Sequence, residues 1–392
     1  MKKSMVPMGR ALLLSGGLAM AALSGQALAA DPVKIGLILP MSGAFATTGK
    51  QVETAVRLYQ QKYGDTVAGR KIEIILKDDG GKPDASKQIA QELIVKDKVN
   101  ILAGFGLTPI ALTVAPLATQ SKIPMVVMVA ATSIVTSKSP YIVRSGFTVP
   151  QVTAPLADWA SKNKIGTVIS MVSDYGPGLD AERVFNKRFS DNGGKVVDAL
   201  RVPLLNPDLA PFMQRVKDAK PDALFAFVPS GEGAAVVKQF QEKGLAAAGI
   251  KLIGLGDVLD DDLLPAIGQA AAGMITTHHY SAAHDSPENK AYVEGMKKLG
   301  NVRANMHSVG GYDGMHIIYE ALKKTNGDSD GDKLVEAMKG LKWISPRGPV
   351  SIDPASRETV QTVYVRQAKV VKGEVFNVEF DKIENVRDPG SN

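Results

Sequence analysis

Val33-Lys34-Ile35-Gly36-Leu37-Ile38-Leu39-Pro40-Met41-Ser42-Gly43-Ala44-Phe45-Ala46-Thr47-Thr48-Gly49 is the stretch on which the fold turns. Beyond Lys34 the first seven residues are apolar without alternation, the pattern of a strand buried on both faces. Pro40 ends it. A small, hydroxylated, glycine-bearing loop follows and leads into a helical stretch from Lys50 to Tyr63, with Val52, Ala55, Val56 and Tyr59 on one face. A buried strand that empties into such a loop and then a helix opens an α/β unit with a parallel sheet.

The same alternation continues outward. Lys71 to Lys77 reads as a strand, Asp84 to Val95 as a helix begun after Pro83, Val99 to Ala103 as a third strand, Pro109 to Gln120 as a helix and Ile123 to Ala130 as a fourth strand. The rhythm restarts with a helix around Trp159. Strands are expected at Thr167 to Ser173, Lys195 to Val202, Ala223 to Val228 and Lys251 to Leu255, with helices at Leu179 to Phe189, Leu209 to Lys217 and Gly233 to Lys243 between them. Tyr141 to Phe147 joins the two units, and Ile275 to Tyr280 reads as a return path. Two further helices (Pro287 to Leu299, Asp313 to Lys324) and terminal strands (Thr362 to Lys369, Val375 to Phe380) follow. The fold class is α/β: two open, doubly wound lobes joined by several crossings with no flexible linker. Such sheets bind ligands at the carboxyl ends of their strands, which places the site in the cleft between the lobes and makes closure around a ligand natural.

Upstream, Lys2, Lys3 and Arg10 precede an apolar run from Ala11 to Leu23 and then Ala27-Leu28-Ala29. This is the layout of a cleavable secretory signal peptide, expected at 1–29, and the run is too short for a comfortable membrane span. The chain has no cysteine, so a lipoprotein anchor is excluded, and a mature chain of roughly 360 residues has enough core to fold without disulfides. A soluble periplasmic protein of a Gram-negative cell is expected. Lys and Arg number 46 against 40 Asp and Glu; without the three signal-peptide cations the net charge falls from +6 to +3. The charges are mixed along the chain with no basic stripe, which argues against a nucleic-acid partner.

The candidate ligand contacts follow strands. Ser42 and Phe45 lie after the first strand, Thr108 after the third, and Ala130 and Thr132 after the fourth. Backbone N–H groups and hydroxyls at such loops hold a carboxylate without a counter-charge; the competing reading is helix capping. The second unit presents Tyr175, then Ser230 with Glu232, then Asp257. Tyr175 is placed to stack on an apolar ligand or to pack on its own lobe. Asp257 or Glu232 is placed to receive an ammonium or to serve as a helix N-terminal acid.

Motifs of enzymes are missing: G-x-S-x-G, a complete post-strand G-x-G-x-x-G, a P-loop and H-E-x-x-H. Ser161 and Lys164 match S-x-x-K at a helix end, a chance match. Asp328, Asp330 and Asp332 have the spacing of a calcium loop, but Lys333 and Lys339 stand where glycine and glutamate are required, so a helix-capping loop is the reading. His278, His279 and His284 cluster without a carboxylate or cysteine to complete a metal set. No catalytic residue, cofactor or metal is expected.

The residues together resemble the periplasmic solute-binding proteins of ABC uptake systems, of the leucine/isoleucine/valine-binding type. The resemblance runs from about Val33 to near the C-terminus. It is carried by Lys34-Ile35-Gly36 with Pro40-Met41-Ser42-Gly43 and Gly49, Asp78-Asp79, Pro116, Ile123-Pro124, Ala130-Ala131-Thr132, Asp174-Tyr175-Gly176 with Gly178, and Gly311-Tyr312-Asp313. It implies three hinge crossings, placed near Thr148, Tyr280 and Ile352, and hence lobes of 30–148 plus 281–351 and 149–280 plus 352–392. It also implies that Thr108, Ala130 and Thr132 bind the ligand carboxylate and that Tyr175 and Tyr312 wall a side-chain pocket. Amino-acid-binding members carry a glutamate where this chain has Gly256, with Asp257 one place later. Phe225-Ala226-Phe227-Val228-Pro229-Ser230-Gly231 and Ser345-Pro346-Arg347-Gly348-Pro349 look more like members that bind aromatic carboxylates. The implied function is the capture of a small hydrophobic carboxylate, a branched-chain or related amino acid or an aromatic acid, by a monomer that delivers it to permease subunits. The alternative is a ligand sensor on the same fold.

Overall fold

The computed structural model describes residues 1, 3–5 and 31–390; but for four positions, the expected signal peptide lies outside the described residues. The first lobe begins with β1 (Val33–Leu39), α1 (Ala46–Tyr63), β2 (Thr66–Val67), β3 (Arg70–Asp78), α2 (Pro83–Val95), β4 (Ile101–Gly104), α3 (Thr108–Ser121), β5 (Met125–Val127) and β6 (Ile142–Arg144). The strand order is β2-β3-β1-β4-β5-β6, parallel except for the β2–β3 hairpin. β1 is central, and every residue of it but Lys34 is buried. Prolines at the first turns of α2 and α3 stand where a missing N–H costs nothing. The segment expected only to join the units thus supplies β6, a further strand of the sheet.

The second lobe continues with α4 (Val149–Lys162), β7 (Thr167–Ser173), α5 (Gly176–Asp191), β8 (Lys195–Val202), α6 (Ala210–Ala219), β9 (Ala223–Phe227), α7 (Gly233–Glu242), β10 (Lys251–Leu255), α8 (Leu264–Ile267) and β11 (Ile275–His278). The chain then returns to the first lobe as α9 (Pro287–Gly300), α10 (Met306–Lys324) and α11 (Gly331–Met338). Their buried faces join the first lobe's core, with Tyr292, Val309, Met315 and Leu334 against the β1, β4 and β5 side chains. It ends as β12 (Lys342–Ser345), β13 (Gly348–Ile352), β14 (Thr359–Val371) and β15 (Glu374–Val386). The second sheet runs β12-β13-β14-β11-β10-β9-β7-β8, with β15 on the other edge of β14. It is parallel from β8 to β11 and antiparallel beyond.

Two boundaries differ from those read in the sequence. The expected third crossing at Ile352 falls inside β13, which with β12 is hydrogen-bonded into the second sheet; the chain changes lobes between α11 and β12. The last long helix starts at Met306, not Asp313. Asn305 makes a capping box there, its side chain accepting from the His307 and Ser308 amides while Ser308 accepts from its backbone N–H. α11 was not anticipated; Asp330 caps it by accepting from the Lys333 amide, and Asp328 pairs with the Lys333 ammonium, so the aspartate run is a capping loop.

Arg347, in the β12–β13 turn, ties the first crossing to the second sheet and to α10. Its buried guanidinium donates to Ser145 O (2.6 Å) and Gly146 O (3.0 Å) in the first crossing, to Gln361 Oε1 (2.6 Å) on β14, and pairs with Asp313 Oδ2 (2.8 Å) on α10. Asp313 also accepts from Trp343 Nε1 and Ser345 Oγ, which pins the β12–β13 hairpin of the second sheet onto a first-lobe helix.

Candidate functional site

The carboxyl ends of β4 and β5 face those of β7, β9 and β10, and a cavity lies between them. It contains about 480 Å³ of empty space, the part continuous with solvent included. Four aromatic rings wall it: Phe45 from the loop after β1, Phe147 from the first crossing, and Tyr175 and Phe227 from the second lobe. Tyr175 and Phe227 lie parallel, with centroids 6.3 Å apart. The loop that carries Phe45 is shaped by Asp78, whose carboxylate accepts from the amides of Met41, Ser42 and Gly80 and is held below its ordinary pKa by these bonds, the Ser42 side chain contributing most. Gly104 ends β4 at φ +107, where a Cβ would collide with the carbonyl oxygen of Ile38. Glycine is needed there to turn the chain from the sheet into the cavity wall.

The first-lobe end offers neutral donors. Thr108 opens α3, and its hydroxyl lies 2.9 Å from that of Thr132. Leu107 at the cap position makes no side-chain hydrogen bond to the first turn, and Pro109 in that turn has no N–H, so this helix start offers a ligand the Thr108 hydroxyl and its remaining first-turn amides. Ala130 and Ala131 complete this wall. Behind them the buried Arg144 donates to the carbonyls of Ala130 and Thr132 and pairs with Glu358. Its bond to the Ala130 carbonyl polarises that peptide and strengthens the Ala131 N–H as a donor. No charged side chain of this lobe's strand-end loops lines the cavity.

The other end is different. Asp257 follows β10 and is 5% exposed. Its Oδ2 has no hydrogen-bond partner, and His278 Nε2 stands 3.6 Å from it. Burial pushes its pKa up to about 6 against the pull of His307 and Arg366. His307 reaches the cavity from the first turn of α10, with Nε2 3.1 Å from Ser230 Oγ. His278 and His279 pack against the Phe147 ring, and burial lowers both imidazoles well below their ordinary pKa. The lobes touch around the cavity: Asn305 Nδ2 donates across the cleft to Asp260 (3.0 and 3.1 Å), and Gly176 of α5 abuts Thr132. This is a closed cleft.

Phe45, Thr108, Ala130, Tyr175, Ser230 and Asp257 line the cavity together. The other expected contacts do not. Ser42 is exposed and its amide is held by Asp78. Glu232 accepts from the Asn206 amide outside the cavity. Tyr312 is buried among Tyr59 and Tyr292 in the first lobe's core. Thr132 presents its hydroxyl to Thr108 and Gly176 and stands behind the wall. His284 pairs with Glu379, away from His278 and His279, and no metal-ligating cluster exists among the described residues. Phe147, Phe227 and His307 are among the cavity residues that the sequence reading did not select as contacts. The Asn305-x-x-Ser308 cap was the available signal for His307, since it sets the helix start.

Residues 32–374 match the family model described as periplasmic binding protein. The chain belongs to that family. As a periplasmic binding protein it is 46% identical over 378 residues to the Leu/Ile/Val-binding protein homolog 6 of Brucella abortus (strain 2308), covering 95% of this chain and 97% of the other. Among solved structures it resembles a solute-binding protein of an ABC transporter from Rhodopseudomonas palustris BisB5 in complex with 3,4-dihydroxybenzoic acid. That match has TM-score 0.91 and 57% identity, covering 92% of this chain and 99% of that one. A solute-binding protein from Rhodopseudomonas palustris HaA2 in complex with p-hydroxybenzoic acid follows at TM-score 0.89 and 45% identity, with coverage of 92% and 99%. The two lobes and the inter-lobe cavity of this periplasmic binding protein are therefore those of a transport family and not of an enzyme class. No described helix is long and apolar enough to cross a membrane.

Proposed function

We propose that this protein captures a small aromatic carboxylate in the periplasm and delivers it to the permease of an ABC importer. The observation that carries the reading is the cavity itself: Phe45, Phe147, Tyr175 and Phe227 enclose it, and the start of α3, without a side-chain cap, forms one end with Thr108. Flat walls suit a ring, and neutral donors at a helix start suit a carboxylate. The Rhodopseudomonas palustris proteins bound to hydroxylated benzoates support the same reading. A branched-chain amino acid is the second reading, favoured by the unpartnered Asp257, which offers an acceptor for an ammonium, and by the name of the Brucella relative. Titration calorimetry of the mature protein with benzoates and with leucine decides between them. Micromolar or tighter binding of leucine with none of any benzoate overturns the aromatic reading.

A further inference from the structure

Asp257 is the one cavity-lining acid, and the protein gives its Oδ2 no hydrogen bond. Its surroundings do not remedy this. Arg366 lies behind Gly256 but is committed to Thr276 Oγ1, the Tyr280 carbonyl and Asp261. His278 has neither ring nitrogen hydrogen-bonded, and at 3.6 Å its Nε2 is beyond a good hydrogen bond to the carboxylate. A buried carboxylate oxygen without a donor is costly, so a native structure that keeps one in a ligand cavity reserves it for a ligand's donor. Beside it, Ser230 Oγ and His307 Nε2 are paired to each other, and His307 Nδ1 is unpartnered.

We propose that Asp257 selects aromatic acids bearing a free ring hydroxyl at the end opposite their carboxylate, accepting a hydrogen bond from that hydroxyl while Ser230 or His307 donates to its oxygen. This rests on the aromatic-acid reading, and it adds a requirement to it. The carboxylate goes to the neutral donors of the first lobe, because at Asp257 it would meet a like charge. The far end of the ring must then carry a neutral donor. A phenolic hydroxyl does so; a bare C–H strands the charge of Asp257, and a methoxy group presents only an acceptor to it. Sites built to hydrogen-bond a ligand hydroxyl reject analogues that lack it far more strongly than apolar pockets reject a missing methylene.

The experiment is titration calorimetry at pH 7.5 of the mature chain and Asp257→Asn with 4-hydroxybenzoate, benzoate, 4-methoxybenzoate and L-leucine. A hydrogen bond to a charged group corresponds to roughly tenfold to a hundredfold in affinity, so wild type should prefer 4-hydroxybenzoate to benzoate by at least about tenfold and bind the methoxy acid no better than benzoate. In Asp257→Asn the preference should shrink to within about threefold, as the hydroxylated acid loses affinity and benzoate gains it. A wild-type preference below threefold, or equal losses for both acids in the variant, overturns the role of Asp257 while leaving the aromatic reading intact. Leucine binding with no benzoate bound overturns that reading instead. A measurement on wild type alone covers a variant that fails to fold. The groups facing Asp257 are Tyr175 at the cap position of α5, His278 on β11, His307 on α10, Arg366 on β14 and Asp260 in its own loop. Tyr175, His278, Arg366 and Asp260 face both complexes alike, whereas His307 with Ser230 contacts only the hydroxylated acid, so the Asp257→Asn comparison at fixed pH isolates Asp257. Between pH 7.5 and 5.5 the ratio of the two affinities should narrow, because protonating Asp257 relieves the stranded charge under benzoate and leaves 4-hydroxybenzoate a weaker, neutral acceptor. A ratio that stays constant or widens counts against Asp257.

Discussion

Thr108 and Thr132 are hydrogen-bonded to each other, yet only Thr108 lines the cavity, and this asymmetry makes a pair of substitutions informative. Valine matches threonine in shape. At 108 it removes the cavity hydroxyl that we propose receives the ligand carboxylate, at the first helical position, where Leu107 and not Thr108 occupies the cap. The loss for binding is one hydrogen bond to a charged group, about 1.5–3 kcal/mol, or roughly tenfold to over a hundredfold in Kd. Thr132→Val removes a hydroxyl whose partners are Thr108 and the approach of Gly176. It costs a neutral hydrogen bond of about 0.5–1.5 kcal/mol, shared between folding stability and binding, so its effect on Kd should stay below roughly tenfold. Both proteins should fold, with melting temperatures a few degrees at most below wild type. Calorimetry with 4-hydroxybenzoate measures the order. Wild-type affinity in Thr108→Val, or a larger loss in Thr132→Val, would refute the placement of the carboxylate at the start of α3.

Closure predicts a drop in the radius of gyration by small-angle scattering when ligand is added to ligand-free protein; an unchanged profile at saturation argues against a closing cleft. Arg347→Ala leaves Asp313 and the carbonyls of Ser145 and Gly146 buried without their cation, so urea unfolding should show a loss of about 3–5 kcal/mol; under 1 kcal/mol would show that the hinge does not depend on it. Gly104→Ala must meet the Ile38 carbonyl at a left-handed φ and should cost about 1–3 kcal/mol or more, with weaker binding because the adjoining Gly106–Thr108 wall shifts. Wild-type stability in this variant would remove the geometric role assigned to Gly104.

What was legible in the sequence and what was not follows from the range of the interactions involved. The element order and the two α/β lobes were readable because they depend on local periodicity and on proline and glycine punctuation. The first-lobe wall was readable because β1, β4 and β5 lie close together in one parallel sheet, so residues just past their ends converge. Ser42 and Glu232 failed for a local reason: turn amides and a side chain nearby, Asp78 for one and Asn206 for the other, already occupy them. Tyr312 failed for a reason of phase. Once Asn305 caps α10, His307 in its first turn reaches the cleft, and Tyr312 turns inward onto Tyr59 and Tyr292. The miss of His307 is of another kind. Asp257 and His307 are fifty residues apart on different lobes, and they share a cavity only because the crossings, the first of them tied by Arg347 to the second sheet and to α10, set the angle between the sheets. No periodicity encodes that angle. It is held by buried ion pairs, Arg347 with Asp313 and Arg144 with Glu358, and by contacts across the cleft such as Asn305 with Asp260. Those contacts must break for a ligand to enter, so the polar end of the site is assembled by the same motion that encloses the ligand.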